Sequence, residues 1–130
     1  MNKAPCPCGA GEPYDDCCGR FHTEPSQLQA PDAERLMRSR YSAFVLGLTD
    51  YLRDTWHPDH RPARIDPNPP GLQWLGLEVK RHEQQDADHA TVEFVARNKL
   101  AGRACRHHEL SRFQRLAGRW VYLDGTFPKG

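Results

Sequence analysis

The chain has 130 residues, 38% of them hydrophobic and 27% charged, with 10 glycines and 11 prolines. That length supports one domain with a real core, not two independent ones. A formal net charge of +1 excludes the basic surplus of a dedicated nucleic-acid binder, and a mean hydropathy of −0.81, with no apolar run near the roughly 20 residues of a spanning helix, excludes a membrane protein.

The opening residues, Met1 to Cys6, lack the apolar stretch of a secretory signal, so a cytoplasmic setting is expected. Four of the five cysteines then fall within eighteen residues: Cys6, Cys8, Cys17 and Cys18. Cys6 and Cys8 flank one proline, and Cys17 and Cys18 are adjacent, so a bridge within either pair would be strained. Crossed disulfides between the pairs stay open, but a reducing cytosol disfavours them. A structural Zn²⁺ held by all four thiolates fits better. Pro5, Pro7, Gly9, Gly11, Pro13 and Gly19 leave too little apolar surface to order so short a segment. Metal coordination would supply on the order of 10 kcal/mol toward folding it. Lys3 and Arg20 stand ready to offset the site's negative charge, and His22 is a competing fourth ligand if Cys18 is not used.

The run Cys6-Pro-Cys8-Gly-Ala-Gly-Glu-Pro-Tyr14-Asp-Asp-Cys17-Cys18-Gly19 resembles the SEC-C motif, the zinc knuckle of the bacterial translocase ATPase SecA. The cysteine spacing, the tyrosine and the closing glycine carry the resemblance. It implies a knuckle that contacts a protein partner, as the SecA tail does with its chaperone and the ribosome.

Residues 23–31 read as a linker with two prolines and no periodicity. Asp32 then caps a helix beginning near Ala33, in which Leu36, Met37, Tyr41, Phe44, Val45 and Leu48 form one apolar stripe. Arg35, Arg38 and Arg40 are expected off that stripe. Gly47 and Thr49-Asp50 break the helix and start a short second one, Tyr51 to Trp56, which His57-Pro58 ends. Arg61 to Gly71 reads as a loop. Period-two alternation follows in Leu75, Leu77 and Val79, then in Val92, Phe94 and Ala96, with turns at Gln84–Asp88, Gly102 and Ala117-Gly118. Cys105 to Leu116 and Trp120 to Leu123 complete four antiparallel strands. The fold class expected is α+β, helices packed on one face of a curved sheet.

Leu36-Met-Arg-Ser-Arg-Tyr-Ser-Ala-Phe44, Thr55-Trp-His-Pro58, Val92-Glu-Phe94, His108-Glu-Leu-Ser-Arg-Phe113 and Trp120-Val-Tyr-Leu-Asp-Gly125 resemble the YchJ-like family. That family joins a SEC-C motif to a domain similar to nuclear transport factor 2. The resemblance implies a knuckle over 1–22, a cone-shaped cystatin-like sheet wrapped by helices over 32–130, a pocket and a homodimer. It implies architecture and zinc, not a reaction.

Within such a cone, Glu109, Ser111 and Phe113 share one strand face, and Trp120, Tyr122 and Asp124 share another. If those faces coincide, Glu109 and Asp124 line a pocket with Tyr122, Trp74, Trp56 and His57. A carboxylate among aromatics would be desolvated and raised toward a useful base. The blander alternatives are that Asp124-Gly125 ends a strand, Glu109 pairs with an arginine, and His57 is a helix-end hydrogen-bonder. His107 and His108, as strand neighbours, cannot share a metal, and Cys105 has no evident activating partner. The residues favour a non-enzymatic binding module with a structural zinc over a small acid–base enzyme. An RNA contact through Arg20, Arg35, Arg38 and Arg40 is the weakest of the three. On this reading the knuckle is separable: losing zinc should loosen about the first twenty residues and leave the second domain folded.

Overall fold

The computed structural model describes residues 5–22, 30–63, 65, 68–116 and 118–127, so Lys3 and most of the expected linker lie outside the described residues. Pro5 and Pro13 pair in an isolated antiparallel bridge. The chain between them forms a hairpin, a 3₁₀ turn follows at Tyr14–Asp16, and the short helix α1 spans Gly19–His22. Gly9 and Gly11 adopt φ of 80° and 89° in the hairpin, the left-handed region that an L side chain resists.

Helix α2 spans Ala33–Leu46 and starts as the sequence suggests: the Asp32 carboxylate accepts from the Arg35 amide at 2.7 Å. It stops at Gly47, whose φ of 76° lets its amide reach back to Ala43 and Phe44. Helix α3 spans Thr49–Asp54, two residues earlier than expected and without a side-chain cap. Among the described residues no helix is long and apolar enough to cross a membrane.

Four antiparallel strands follow in sequential order: β1 Gln73–Gln84, β2 His89–Leu100, β3 Arg103–Leu116 and β4 Arg119–Thr126. Ala101 and Gly102 (φ 52° and 79°) join β2 to β3 in a two-residue turn that matches the strand twist. On the inner face Ala90, Val92, Phe94, Ala96 and Phe113 pack against α2, whose Leu36, Met37 and Tyr41 complete the core. Thr55–His57 closes the far edge of the sheet. Tyr122 gives its amide to the Thr55 carbonyl, and its carbonyl accepts from the His57 amide, both at 2.8 Å.

Register shifts, two in β1 and one in β4, change which residues face inward. In β1, Trp74 opposes Asn98 and Gly76 opposes Arg97, so Leu75 is the extra residue. The expected alternation of Leu75 with Leu77 and Val79 therefore fails: Leu75 is 55% exposed and Trp74 takes the inward position. In β4, Tyr122 opposes Phe113 while Asp124 already opposes Arg112, leaving Leu123 as the extra residue. Tyr122 and Asp124 consequently face opposite sides of the sheet.

Phe113 is 1% exposed and meets the Tyr122 ring edge-on. Phe113→Ala should cost about 3–5 kcal/mol, read as a lower urea midpoint with an unchanged slope; a loss under 1 kcal/mol would contradict this packing.

Candidate metal centre and cavity

The hairpin places the sulfurs of Cys6, Cys8, Cys17 and Cys18 within 4.8 Å of one another, and all four residues are buried. Backbone bonds set the loop: the Cys6 amide donates to the Glu12 carbonyl at 2.9 Å and the Gly9 amide to the Cys6 carbonyl at 3.2 Å. The four can hold a metal ion. A tetrahedron of sulfurs about 2.3 Å from a central ion has edges of about 3.8 Å, and Cys8 and Cys17 already sit 3.6 Å apart. Hydrogen bonds from Cys18 and Cys8 draw the Cys6 thiol far below the ordinary thiol range, while that contact with Cys6 raises Cys18. Burial, then the charge of Cys8, pushes Cys17 up to about 12.

His22 is not part of this donor set. Tyr14 donates to its Nδ1 at 2.7 Å and its Nε2–H reaches the Ser39 carbonyl at 2.9 Å, so both ring nitrogens are engaged. Its ring meets Tyr51 edge-on at 4.6 Å, and Tyr51 exchanges a 2.7 Å hydrogen bond with Ser39. Burial lowers its pKa, which fits a neutral ring accepting from Tyr14. Arg38 donates to the Cys8 carbonyl at 3.0 Å, and Ser42 lies 3.5 Å from the Cys6 sulfur. The hairpin is thus docked along α2, its cysteines in one core with Leu36, Met37 and Tyr41. The expected knuckle therefore shares its core with α2.

On its other side α2 forms a wall of a cavity of about 370 Å³, within the usual size of ligand sites. Trp56, Trp74, Phe94 and Phe113 supply aromatic walls. Of the four pocket candidates, Glu109 and Tyr122 line it; Asp124 and His57 do not. The Leu123 bulge turns Asp124 outward, where it holds Arg112 in a bidentate pair at 2.5 and 2.6 Å. That guanidinium, more than any other contact, lowers the Asp124 pKa. His57 faces the Asp59 amide, which donates to its Nδ1 at 3.1 Å, and packs on His60.

Glu109 is 8% exposed. Its Oε2 accepts from Ser111 at 2.5 Å and from Tyr122 at 2.8 Å, and its Oε1 accepts from His107 at 2.8 Å. Burial pushes its pKa up, but the three donors together outweigh it and hold the carboxyl below its ordinary value. The expectation of a raised, base-like carboxylate is therefore reversed. Glu109 behaves as an ionised anchor that fixes its three donors, and a Cβ on Gly125 would run into it.

Arg40 was expected on a solvated face and is instead 6% exposed. Its Nη1 donates to the Leu52 carbonyl and Thr55 Oγ1 at 2.8 and 2.7 Å, and its guanidinium sits over the Tyr122 and Trp56 rings at 4.7 and 5.3 Å. Burial lowers its pKa to about 10, so it stays charged at neutral pH. Four-residue steps from Leu36 through Arg40 to Phe44 put it on the apolar stripe, a signal present in the sequence. Arg40 is thus buried and Arg38 turned onto Cys8, which takes two of the four arginines named for RNA out of a free basic surface.

Two outcomes follow. Because Glu109 ionises more readily folded than unfolded, its stabilisation is full above the unfolded carboxylate value, about 4.3, and is lost as pH falls through the lower folded value. Glu109→Gln should flatten that acid limb and cost about 1–3 kcal/mol at pH 7; an unchanged limb in pH-dependent urea melts would refute the assignment. For the hairpin, Cys8→Ser should speed amide exchange in α2 as well as in residues 5–22, whereas exchange confined to the hairpin would restore the separable knuckle.

Comparison with known proteins places these features in a family. Residues 32–125 match the model of the YchJ middle NTF2-like domain, and residues 3–20 match the SEC-C motif. A UPF0225 protein of Bordetella parapertussis is 62% identical over 95% of this chain and 93% of its own length. One from Methylibium petroleiphilum is 63% identical over 94% and 89%. The solution structure of a SEC-C motif containing protein from Rhodopseudomonas palustris superposes with a TM-score of 0.84 at 34% identity, covering 97% of this chain and 100% of that one. A crystal structure of a SEC-C motif containing protein from Psychrobacter arcticus gives 0.72 at 30% identity, covering 100% and 85%. With its SEC-C cysteines docked on an NTF2-like sheet and helix, the chain belongs to the YchJ (UPF0225) family.

Proposed function

We propose that this protein is a zinc-stapled small-molecule binder rather than an enzyme. The observation that carries the reading is the cavity walled by α2, aromatic on most sides with a few fixed polar groups. The metal's part is structural. Four buried sulfurs suit Zn²⁺ and fill its coordination, which leaves no open position for a substrate. Bound zinc would supply no chemistry here beyond cross-linking the hairpin that backs α2. Glu109 is a poor general base because its oxygens already accept three hydrogen bonds and its pKa is lowered.

A second, compatible reading is a protein partner at the hairpin. Glu12, Asp15 and Asp16 are exposed there, which favours a basic protein surface over nucleic acid.

Elemental analysis of protein purified without chelator should return one zinc per chain. Ligand-observed NMR with a library of small aromatic fragments should find binders to the zinc-loaded protein. Ala96 lines the cavity at 3% exposure, so Ala96→Phe should fill the space and lose those binders. Equal binding by the parent and by a folded Ala96→Phe protein would place the fragments elsewhere and end this reading.

A further inference from the structure

The cavity contains two opposite charges in unequal circumstances. Glu109 is compensated by three donors. Arg40 is held differently: it feels the Glu109 charge, but of the five N–H donors of a guanidinium those of Nη1 go to two neutral oxygens. Among the described residues no carboxylate forms an ion pair with Arg40, and Nε and Nη2 have no hydrogen-bond partner. Arg40 itself stands in the cavity lining.

A buried guanidinium short of hydrogen-bond partners is expensive, so its place on the wall of a largely aromatic cavity is informative. We infer that the cavity binds a small planar aromatic carboxylate, its anionic oxygens on Arg40 Nε and Nη2 and its ring between the aromatic walls. Two adjacent guanidinium N–H groups match the two oxygens of a carboxylate. At roughly 30 Å³ for each water-sized group, the 370 Å³ available takes on the order of a dozen non-hydrogen atoms, the size of one or two fused rings with an acid. Glu109 repels a misdirected anion and so fixes which end of the ligand enters toward Arg40. This inference rests on the small-molecule reading above and names the ligand class.

The test uses full-length, zinc-loaded protein and three probes of one shape: 2-naphthoate, 2-naphthalenemethanol and 2-naphthylmethylammonium. Calorimetric titration at pH 7 should give 2-naphthoate at least tenfold tighter binding than the alcohol and no measurable binding of the ammonium. Adding 2-naphthoate should shift the Arg40 Nε–H resonance. Arg40→Met should remove the preference for the acid while keeping the alcohol. If Arg40→Met does not fold, the resonance shift in the parent decides. Equal affinity for acid and alcohol, or an Arg40 resonance that the acid leaves unmoved, overturns the anion assignment and leaves the cavity reading standing. Failure of all three probes to bind overturns the aromatic-acid assignment, and the Ala96→Phe fragment comparison then decides separately whether the cavity binds anything.

Discussion

Everything in this molecule leans on the docking of a cysteine hairpin against one helix. Leu36, Met37 and Tyr41 of α2 share a core with all four sulfurs, and Arg38, Ser39 and Ser42 tie the same helix to the hairpin by hydrogen bonds to Cys8, His22 and Cys6. The hairpin is too short and too rich in glycine and proline to order itself by its own burial, so a metal held by its four sulfurs would add the cross-link that stiffens the dock. On another side of α2, Arg40 and Phe44 stand in the cavity wall. Metal site and cavity are two faces of one element.

Polar groups inside the cavity are held by the same logic of mutual support. Arg40 reaches Thr55, whose carbonyl pairs with the Tyr122 amide; Tyr122 donates to Glu109; Glu109 also gathers Ser111 and His107. Helix α2, the closing segment and two strands thus meet through a chain of hydrogen bonds along the cavity. Such a chain tolerates little rearrangement in a low-dielectric interior.

Much of this was legible in the residues, and the remainder failed for identifiable reasons. Cysteine spacing gave the cluster, three- and four-residue apolar steps gave α2, and period two gave the strands, because each pattern reflects local geometry alone. The inward or outward sense of Leu75 and Asp124 was not legible. A bulge adds one residue to one strand, and only the partner's register reveals it. The charge of Arg40 argues for solvent and its four-residue spacing from Leu36 and Phe44 for the interior; position prevails. The docking of His22 between Tyr14 and Ser39 depends on contacts seventeen residues apart in sequence, across a segment with no periodic signal.

The closing segment at Thr55–His57 has a consequence for how the molecule behaves in a crowded solution. A sheet of four strands has two rims where unpaired amides invite another chain to add on and begin aggregation. Thr55–His57 caps the rim at β4, which leaves β1 as the open rim among the described residues. There, the irregularities at Leu75 and Lys80 interrupt the straight hydrogen-bonding line, and the charged residues Glu78, Lys80, Arg81 and Glu83 oppose a flat neighbour. Solubility is thereby protected at one rim by a cover and at the other by irregularity and charge.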